Sequence, residues 1–264
     1  MGDRLEKARG ETTAFANEAG AFFLDVATPN DVPELAKLNV SVKLDMAHYE
    51  RTFSQGETGF ARRGGFFKVM DAHDIARCIG DARSIIFTLR DEGAGASHGR
   101  IVASLWASLE DPGFAEPSPS LARYIDGNPA FAEAGAHGAV CYGRELIVAR
   151  DAPRFISPGA AVFYGSLCAL RTAGFNYVLS EVYRVVAYCV CSRTHSVNIT
   201  NEAALRSVVE VGGLRIATNR LRTLDCEGNL NITIEPQVVL FDCAAVLQRL
   251  GEELPVRARG ERHA

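Results

Sequence analysis

The order of strand-like and helix-like segments constrains the fold of this chain more than any other feature. Apolar runs typical of strands lie at residues 21–26, 84–90, 100–109, 140–148, 175–182, 214–224 and 230–241. Segments with helical starts and helical periodicity lie between them, at residues 28–46, 71–78, 158–171 and 201–211. Because strands and helices are interleaved, with two pairs of consecutive strands, we predict a single α/β (α+β) domain with a mixed sheet.

Two of the predicted helices begin with a clear capping signal. Thr28 can cap the first of them, Pro29 takes its first position, and Asp31 follows three residues after the cap. Ser157 and Pro158 are the corresponding cap and first residue of the third predicted helix. These signals define where we expect both helices to begin.

No repeat or linker divides the chain. We expect residues 1–20 to form a flexible N-terminal arm, 21–250 a single domain and 251–264 a flexible polar tail. Residues 111–138 are rich in Pro, Gly and Ala and form an insertion longer than ordinary connections. Since loops of that length are often functional, this insertion is a candidate part of a binding site.

Charge and hydropathy exclude two classes of partner. The 264 residues include 28 Lys and Arg against 32 Asp and Glu, for a net charge of −4, which argues against nucleic acid as the main partner. No apolar run approaches the roughly 20 residues of a membrane helix. The first residues are charged, so we expect no signal peptide and a cytoplasmic protein that does not bind membranes.

The seven cysteines are scattered through apolar segments, which favours reduced, buried thiols. One cluster, Cys189, Cys191 and His195, has residue types that bind metals. A structural zinc site needs four ligands, and no second pair of Cys or His stands nearby in the sequence. We therefore predict no metal.

The segment from Glu145 to Ala161 is the most informative for chemistry. An apolar strand leads into a loop that carries Arg154, and a helix then opens on small residues beginning with Gly159. The first N–H groups of a helix lack partners within it, and small residues let a phosphate approach the backbone. The segment therefore fits either a phosphate site or an ordinary strand–helix crossing with a capped helix.

This segment resembles the GNAT superfamily of N-acetyltransferases, whose helix start reads Arg/Gln-x-x-Gly-x-Gly/Ala. Arg154 and Gly159 match that pattern, whereas Ser157 replaces a Gly and Pro158 removes one N–H. The likeness extends over residues 21–241 in the order of its elements. A second motif, Asn201-Glu-Ala-Ala204 followed by Gly212, is similar to the family's Asn-x-x-Ala segment, with Val208 where a Tyr is usual.

The resemblance implies a GNAT-like central sheet, mostly antiparallel and flanked by helices, with acetyl-CoA as cosubstrate. In the family the helix start grips the pyrophosphate, and a backbone N–H of the preceding strand bonds the thioester oxygen. The implied cofactor-binding residues are Ile147, Val148, Ala149, Arg154, Ser157, Gly159, Ala160, Ala161, Asn201 and Ala204.

Transfer to an amine also needs a base, and in the family a carboxylate on the same strand often serves. Glu145 is the candidate, since it stands two residues before Ile147 and so points to the same face of a strand. A glutamate that faces water or pairs with Arg144 is the alternative. Tyr183 and Tyr188 are candidates to protonate the leaving thiolate; otherwise they are core residues.

The function implied is transfer of an acetyl or other acyl group from acyl-CoA to a primary amine of a small molecule or protein. Two alternatives stay open: a non-catalytic module that binds CoA or a partner, and an acyl-carrier-dependent N-acyl amino acid or homoserine lactone synthase. Variable loops at residues 43–70 and 111–138 are expected to bind the acceptor. Edge strands after residue 214 can pair in a homodimer.

Overall fold

The computed structural model describes residues 2–53, 70–94, 99–109, 139–149, 151–183, 197–198, 207–211, 214–218, 223–224, 230–231 and 236–257. The helices in this part of the chain are α1 (Gly2–Arg9), α2 (Val32–Phe53), α3 (Ala72–Gly80), α4 (Pro158–Thr172) and α5 (Cys243–Gly251). The strands are β1 (Thr13–Asn17), β2 (Gly20–Val26), β3 (Ser84–Asp91), β4 (Arg100–Ser108), β5 (Ala139–Val148), β6 (Phe175–Tyr183), β7 (Val197–Asn198), β8 (Ser207–Val211), β9 (Leu214–Thr218), β10 (Thr223–Leu224), β11 (Leu230–Asn231), β12 (Pro236–Asp242) and β13 (Val256–Arg257).

A nine-stranded sheet in the order β13-β1-β2-β3-β4-β5-β6-β12-β7 forms the centre of the molecule. All of its described pairings are antiparallel except that of β5 with β6, which is parallel. The predicted fold class, a mixed and mostly antiparallel sheet flanked by helices, is confirmed.

Helices cover both faces of this sheet. On one face α1, α4 and α5 bury the larger apolar cluster, which includes Phe22, Phe87 and Leu170. On the other face α2 and α3 bury a smaller cluster around Trp106 and Ile147. Within the described residues, no helix has the length and apolar composition of a membrane span.

The predicted helix starts are confirmed, with a short 3-10 turn before α2. The backbone N–H and hydroxyl of Thr28 both donate to Asp31 Oδ2, at 2.8 and 3.0 Å. Arg90 of β3 donates to the other oxygen of Asp31 at 2.7 Å, so the start of α2 is tied to the sheet. At α4, Ser157 Oγ accepts a hydrogen bond from the N–H of Ala160.

The structure differs from the prediction of a flexible arm at residues 1–20. Residues 2–9 form α1, whose Leu5 and Ala8 are fully buried, and β1 follows as a strand of the central sheet. Residues 256–257, predicted within the polar tail, pair with β1 as β13. The first segment is held because Leu5 and Ala8 belong to the larger apolar cluster, whereas Val256 is 39% exposed and β13 is held by its backbone pairing with β1.

The helix predicted at residues 201–211 is wrong over its second half. Residues 207–211 form β8, which pairs antiparallel with β9, and Val211 stands opposite Leu214. Three β-branched valines in five residues favour a strand, and the Gly-Gly pair that we interpreted as a helix stop lies between two paired strands. Helix α5 was not predicted, although Asp242 caps it by accepting from two N–H groups.

Candidate functional site

The parallel strands β5 and β6 separate halfway along their length. Their pairing begins at Ala139 with Phe175 and ends at Gly143 with Ser180. There the Ser180 hydroxyl donates to the carbonyl of Gly143 at 2.9 Å. A Cβ at Gly143 would lie 3.1 Å from Ser180 Oγ, so the close approach favours glycine there. Beyond this point β5 pairs with β4, and β6 pairs with β12, which leaves a gap in the sheet between them.

The edge of β5 that faces this gap carries backbone groups with no strand partner among the described residues. The N–H of Ala149 donates to the carbonyl of Val102 on β4 at 2.8 Å. Since backbone groups of an antiparallel strand alternate in direction, those of Ile147 also face β4, and those of Leu146 and Val148 face the gap. Ile147 and Ala149 therefore direct their N–H groups at β4 rather than at a cofactor arm, while Val148 remains suitable.

Leu146 lies at this edge of β5 and is not among the site residues predicted from the sequence. It is 45% exposed, which is unusual for a leucine on a central strand. The strand is exposed there because β6 has already diverged, and no local pattern in the sequence reveals that divergence.

The first turn of α4 lies beside this edge. A Cβ added at Gly159 would lie 3.5 Å from Cγ2 of Val148, so the helix start and the end of β5 are neighbours. The N–H groups of Ala160 and Ala161 are used by Ser157, through its hydroxyl and its carbonyl. Of the predicted donors, Ser157 and Gly159 therefore keep a backbone N–H with no acceptor among the described residues.

The loop before α4 is held at both ends. Asp151 accepts from Arg100 at 2.6 Å, and the Phe155 ring stacks on Phe22 with centroids 4.5 Å apart. The side-chain amide of Asn17 also donates to the carbonyl of Phe155. These contacts tie the loop to β1, β2 and β4.

Arg154 supplies positive charge in that loop. Its side chain is exposed and has no hydrogen-bond or ion-pair partner among the described residues. The N-terminus of α4 adds the positive end of its dipole a few residues later. Together they form a place where an anion is favoured.

Glu145 lies on the face of β5 that α2 covers, opposite the face that packs against α4. It stands across from Trp106 of β4, and its Oε2 accepts a hydrogen bond of 3.1 Å from the side-chain amide of Asn39. Ile147 packs in the same cluster as Trp106, which confirms that Glu145 and Ile147 share a face. The indole N–H of Trp106 is buried with no acceptor among the described residues.

Two further residues that the resemblance singles out, Tyr183 and Val208, lie on described strands. Tyr183 ends β6 opposite Pro236, on the far wall of the gap, and its side chain is not described. Val208 lies on β8, so the helical position that the family's tyrosine occupies is not formed at that residue. Three other predicted site residues lie outside the described part of the chain: Tyr188, Asn201 and Ala204. His137, which comes just before β5 in the sequence and is a second conceivable base, also lies outside it.

The buried thiols of Cys141 and Cys243 are poorly suited to act as nucleophiles. Burial raises the pKa of the Cys141 and Cys243 thiols to about 12, so both stay protonated near neutral pH. Within the same residues no group of three or more His, Cys, Asp or Glu side chains is arranged to hold a metal ion. The predicted cluster at Cys189, Cys191 and His195 lies outside them.

Comparison with known proteins finds likeness in structure rather than in sequence. No protein-family model and no curated protein matches the chain. Among solved structures, a GNAT-family acetyltransferase from Listeria monocytogenes is 14% identical, with a TM-score of 0.43 over 70% of this chain and 91% of that chain.

Two further solved structures have a similar backbone path. An N-acyl amino acid synthase from uncultured soil microbes is 12% identical, with a TM-score of 0.46 over 89% of this chain and 96% of that one. The ribosomal-protein-S18-alanine N-acetyltransferase from Escherichia coli is 10% identical, with a TM-score of 0.42 over 92% and 99%. At identities of 10–14% and TM-scores below 0.5 we draw no conclusion from this likeness, and we argue the function from this chain's own residues.

Proposed function

We propose that this protein is a GNAT-type N-acyltransferase that transfers an acetyl or longer acyl group from acyl-CoA to a primary amine. The observation that carries the proposal is the gap between β5 and β6 next to the start of α4. There the strand edge at Leu146 and Val148, which has no strand partner among the described residues, lies near the start of α4 at Gly159. An open strand edge suits a pantetheine arm, since both have amide groups, and a helix start suits a pyrophosphate.

The residues present fit such a cosubstrate. Ser157 and Gly159 keep N–H groups for phosphate oxygens, and Arg154 brings a charge that no described side chain neutralises. An N–H of Leu146 or Val148 would bond the amides of the arm and the thioester oxygen. Bound acetyl-CoA supplies the activated acyl group, and the chain supplies the orientation.

In the proposed reaction the amine nitrogen attacks the thioester carbonyl carbon. A C–N bond forms, the C–S bond breaks, and no oxidation or reduction occurs. The amine loses a proton, and we assign Glu145 as the base that accepts it directly or through one water. The thiolate leaves and is protonated by Tyr183, by Tyr188 or by solvent.

A non-catalytic module that binds CoA is the second candidate function. Val208 favours it, because this residue lies on a strand and lacks the hydroxyl of the family's usual acid. The two candidates share the cosubstrate site and differ in turnover. Under either candidate function, we expect the protein to act in the cytoplasm. The acyltransferase would bind an amine, and the non-catalytic module would bind CoA or a partner protein.

Thermal unfolding with acetyl-CoA and a thiol assay with a panel of primary amines test the proposal. At about 100 times Kd, ligand binding adds about 2.7 kcal/mol, which should raise Tm by roughly 5 °C or more. An acyltransferase then releases free CoA thiol only when an amine is present. A shift without thiol release supports the non-catalytic module, and no shift contradicts both candidates.

A further inference from the structure

A buried amide connects Glu145 to the helical layer above it. Asn39 of α2 is 2% exposed, its Oδ1 accepts the N–H of Met70 at 2.8 Å, and its Nδ2 donates to Glu145 Oε2 at 3.1 Å. A backbone N–H can only donate, so the bond from Met70 determines which way the amide faces. Its NH₂ group is therefore directed at the carboxylate.

The elements that hold Asn39 are themselves fixed. Leu35 and Leu38, on the same helix, pack in the cluster that contains Trp106 and Ile147. Met70 comes directly before Asp71, whose carboxylate caps α3 by accepting the N–H of Asp74. The amide thus reaches Glu145 from a packed helix and a capped helix start, which are rigid supports for a functional group.

We propose that Asn39 is a positioning residue for Glu145: its amide holds the carboxylate in the orientation from which it accepts the amine proton. This inference rests on the proposed function, in which Glu145 is the base. Asn39 acts through Glu145 and does not itself touch the substrate. A glutamate side chain has three rotatable bonds, and this hydrogen bond is one contact that restricts them. Its loss should lower the share of time that the carboxylate spends in the orientation for proton transfer.

Asn39→Asp removes the hydrogen bond and places a second carboxylate against Glu145. The aspartate keeps the size of the side chain and an oxygen for Met70, but it replaces the N–H donor with a second acceptor facing Glu145. With the best amine of the panel we expect kcat to fall about ten- to a hundredfold, while the KM for acetyl-CoA stays within twofold. Asn30→Asp, the same change at an exposed position before α2, is the matched control and should leave kcat unchanged.

Hydroxylamine as the acceptor distinguishes a loss of base positioning from damage to the fold. It is largely uncharged at neutral pH, so its acylation demands less of a base than that of an alkylamine. Asn39→Asp and Glu145→Gln should therefore lose much less rate with hydroxylamine than with the alkylamine. Trp106, the only tryptophan of the chain, stands across from Glu145, and its unchanged emission would show that the packing is kept.

The double variant Asn39→Asp/Glu145→Gln reverses the direction of the hydrogen bond, because the introduced glutamine amide can donate to the introduced aspartate carboxylate. We expect its Tm to recover toward that of the wild type while its kcat stays as low as that of Glu145→Gln alone. Asn39→Ser, a smaller change, should give a smaller loss in the same direction and serves if Asn39→Asp does not fold.

Four results would overturn the inference, and each can be distinguished from the others. If Glu145→Gln lowers kcat and both Asn39 variants do not, Glu145 is a base that needs no positioning by Asn39. An equal loss with hydroxylamine and the alkylamine would show that Asn39 serves the fold only. If Glu145→Gln itself is silent while amines are still acylated, Glu145 is not the base, and the inference fails although the proposed function stands. If no amine is acylated, the proposed acyltransferase fails and the inference fails with it.

Discussion

Glu145 carries the proton transfer in the proposed reaction, so its replacement is the most direct test at the scale of a residue. Glu145→Gln keeps the shape of the side chain and its contact with Asn39 but removes the base. Loss of a positioned base typically costs about 10²–10⁴-fold, and we expect turnover to fall at least about tenfold while acetyl-CoA binding holds. Steady-state kinetics across pH provides the measurement.

The loss should shrink at high pH, because the amine is then already neutral. A variant that turns over at the wild-type rate between about pH 6 and pH 9 would show that Glu145 is structural. His137 or a chain of waters would then be the better base.

Gly159 tests the cosubstrate site. A Cβ at this position meets only an ordinary contact with Val148, so Gly159→Ala should fold and bind acetyl-CoA as the wild type does. Gly159→Asp places a negative charge where we propose the pyrophosphate, and we expect affinity to fall at least about tenfold, or ~1.4 kcal/mol. An acidic residue in the first turn favours the helix, so unfolding would not explain the loss. Calorimetric titration that finds equal affinities would move the cosubstrate elsewhere.

At the scale of elements, α4 is held to the sheet by a close contact that only a glycine permits. A Cβ at Gly165 would lie 2.9 Å from Cδ2 of Leu24 on β2, in the fully packed core. We expect Gly165→Ala to lower the free energy of unfolding by about 1–3 kcal/mol, measured by urea denaturation.

Gly80, at the end of α3, is the matched control for that change. A Cβ there meets nothing within 4 Å, so Gly80→Ala should be neutral or slightly stabilising. If the two variants were equally stable, the packing of α4 against β2 would be looser than this contact implies.

At the scale of the whole molecule, one ion pair ties the helical layer to the sheet. Asp31 and Arg90 have side chains only 11% exposed, and Asp31 also accepts from Thr28. Burial opposes ionisation, but the hydrogen bonds from Thr28 and Arg90 and the charge of Arg90 outweigh it and lower the pKa of Asp31. Since the folded pKa lies below the unfolded one, the stabilisation is full above about pH 4 and is lost as the pH falls through the folded pKa.

We therefore expect Asp31→Asn to lower the free energy of unfolding by about 3 kcal/mol at pH 7, since it leaves Arg90 buried without its partner. Urea denaturation at falling pH should show the wild type losing this advantage. Asp151→Asn, which removes an exposed ion pair with Arg100, should change stability little. A difference that persists unchanged in acid would mean that the charge of Asp31 is not what stabilises the fold.

The sequence predicts the elements best where their signals are local. Ser157 and Thr28 mark helix starts because the groups that they bond lie within three residues. It predicts worst where a few apolar residues depend on distant partners. In the sequence, Leu5 and Ala8 look like part of a polar arm, and residues 207–211 look like part of a helix. The core that buries the first pair and the strand that pairs with the second segment are not visible in the local sequence.

The same distinction between local signals and distant partners holds for the candidate site. The residues from Glu145 to Gly159, as a strand, a loop with Arg154 and a capped helix, follow from the sequence alone, because each signal acts within a few positions of the chain. The gap between β5 and β6, and with it the exposed edge at Leu146, was decided only by tertiary pairing. So was the contact of Asn39 with Glu145, which joins residues 106 positions apart: a hydrogen bond between two polar side chains leaves no pattern in a sequence until the fold brings them together.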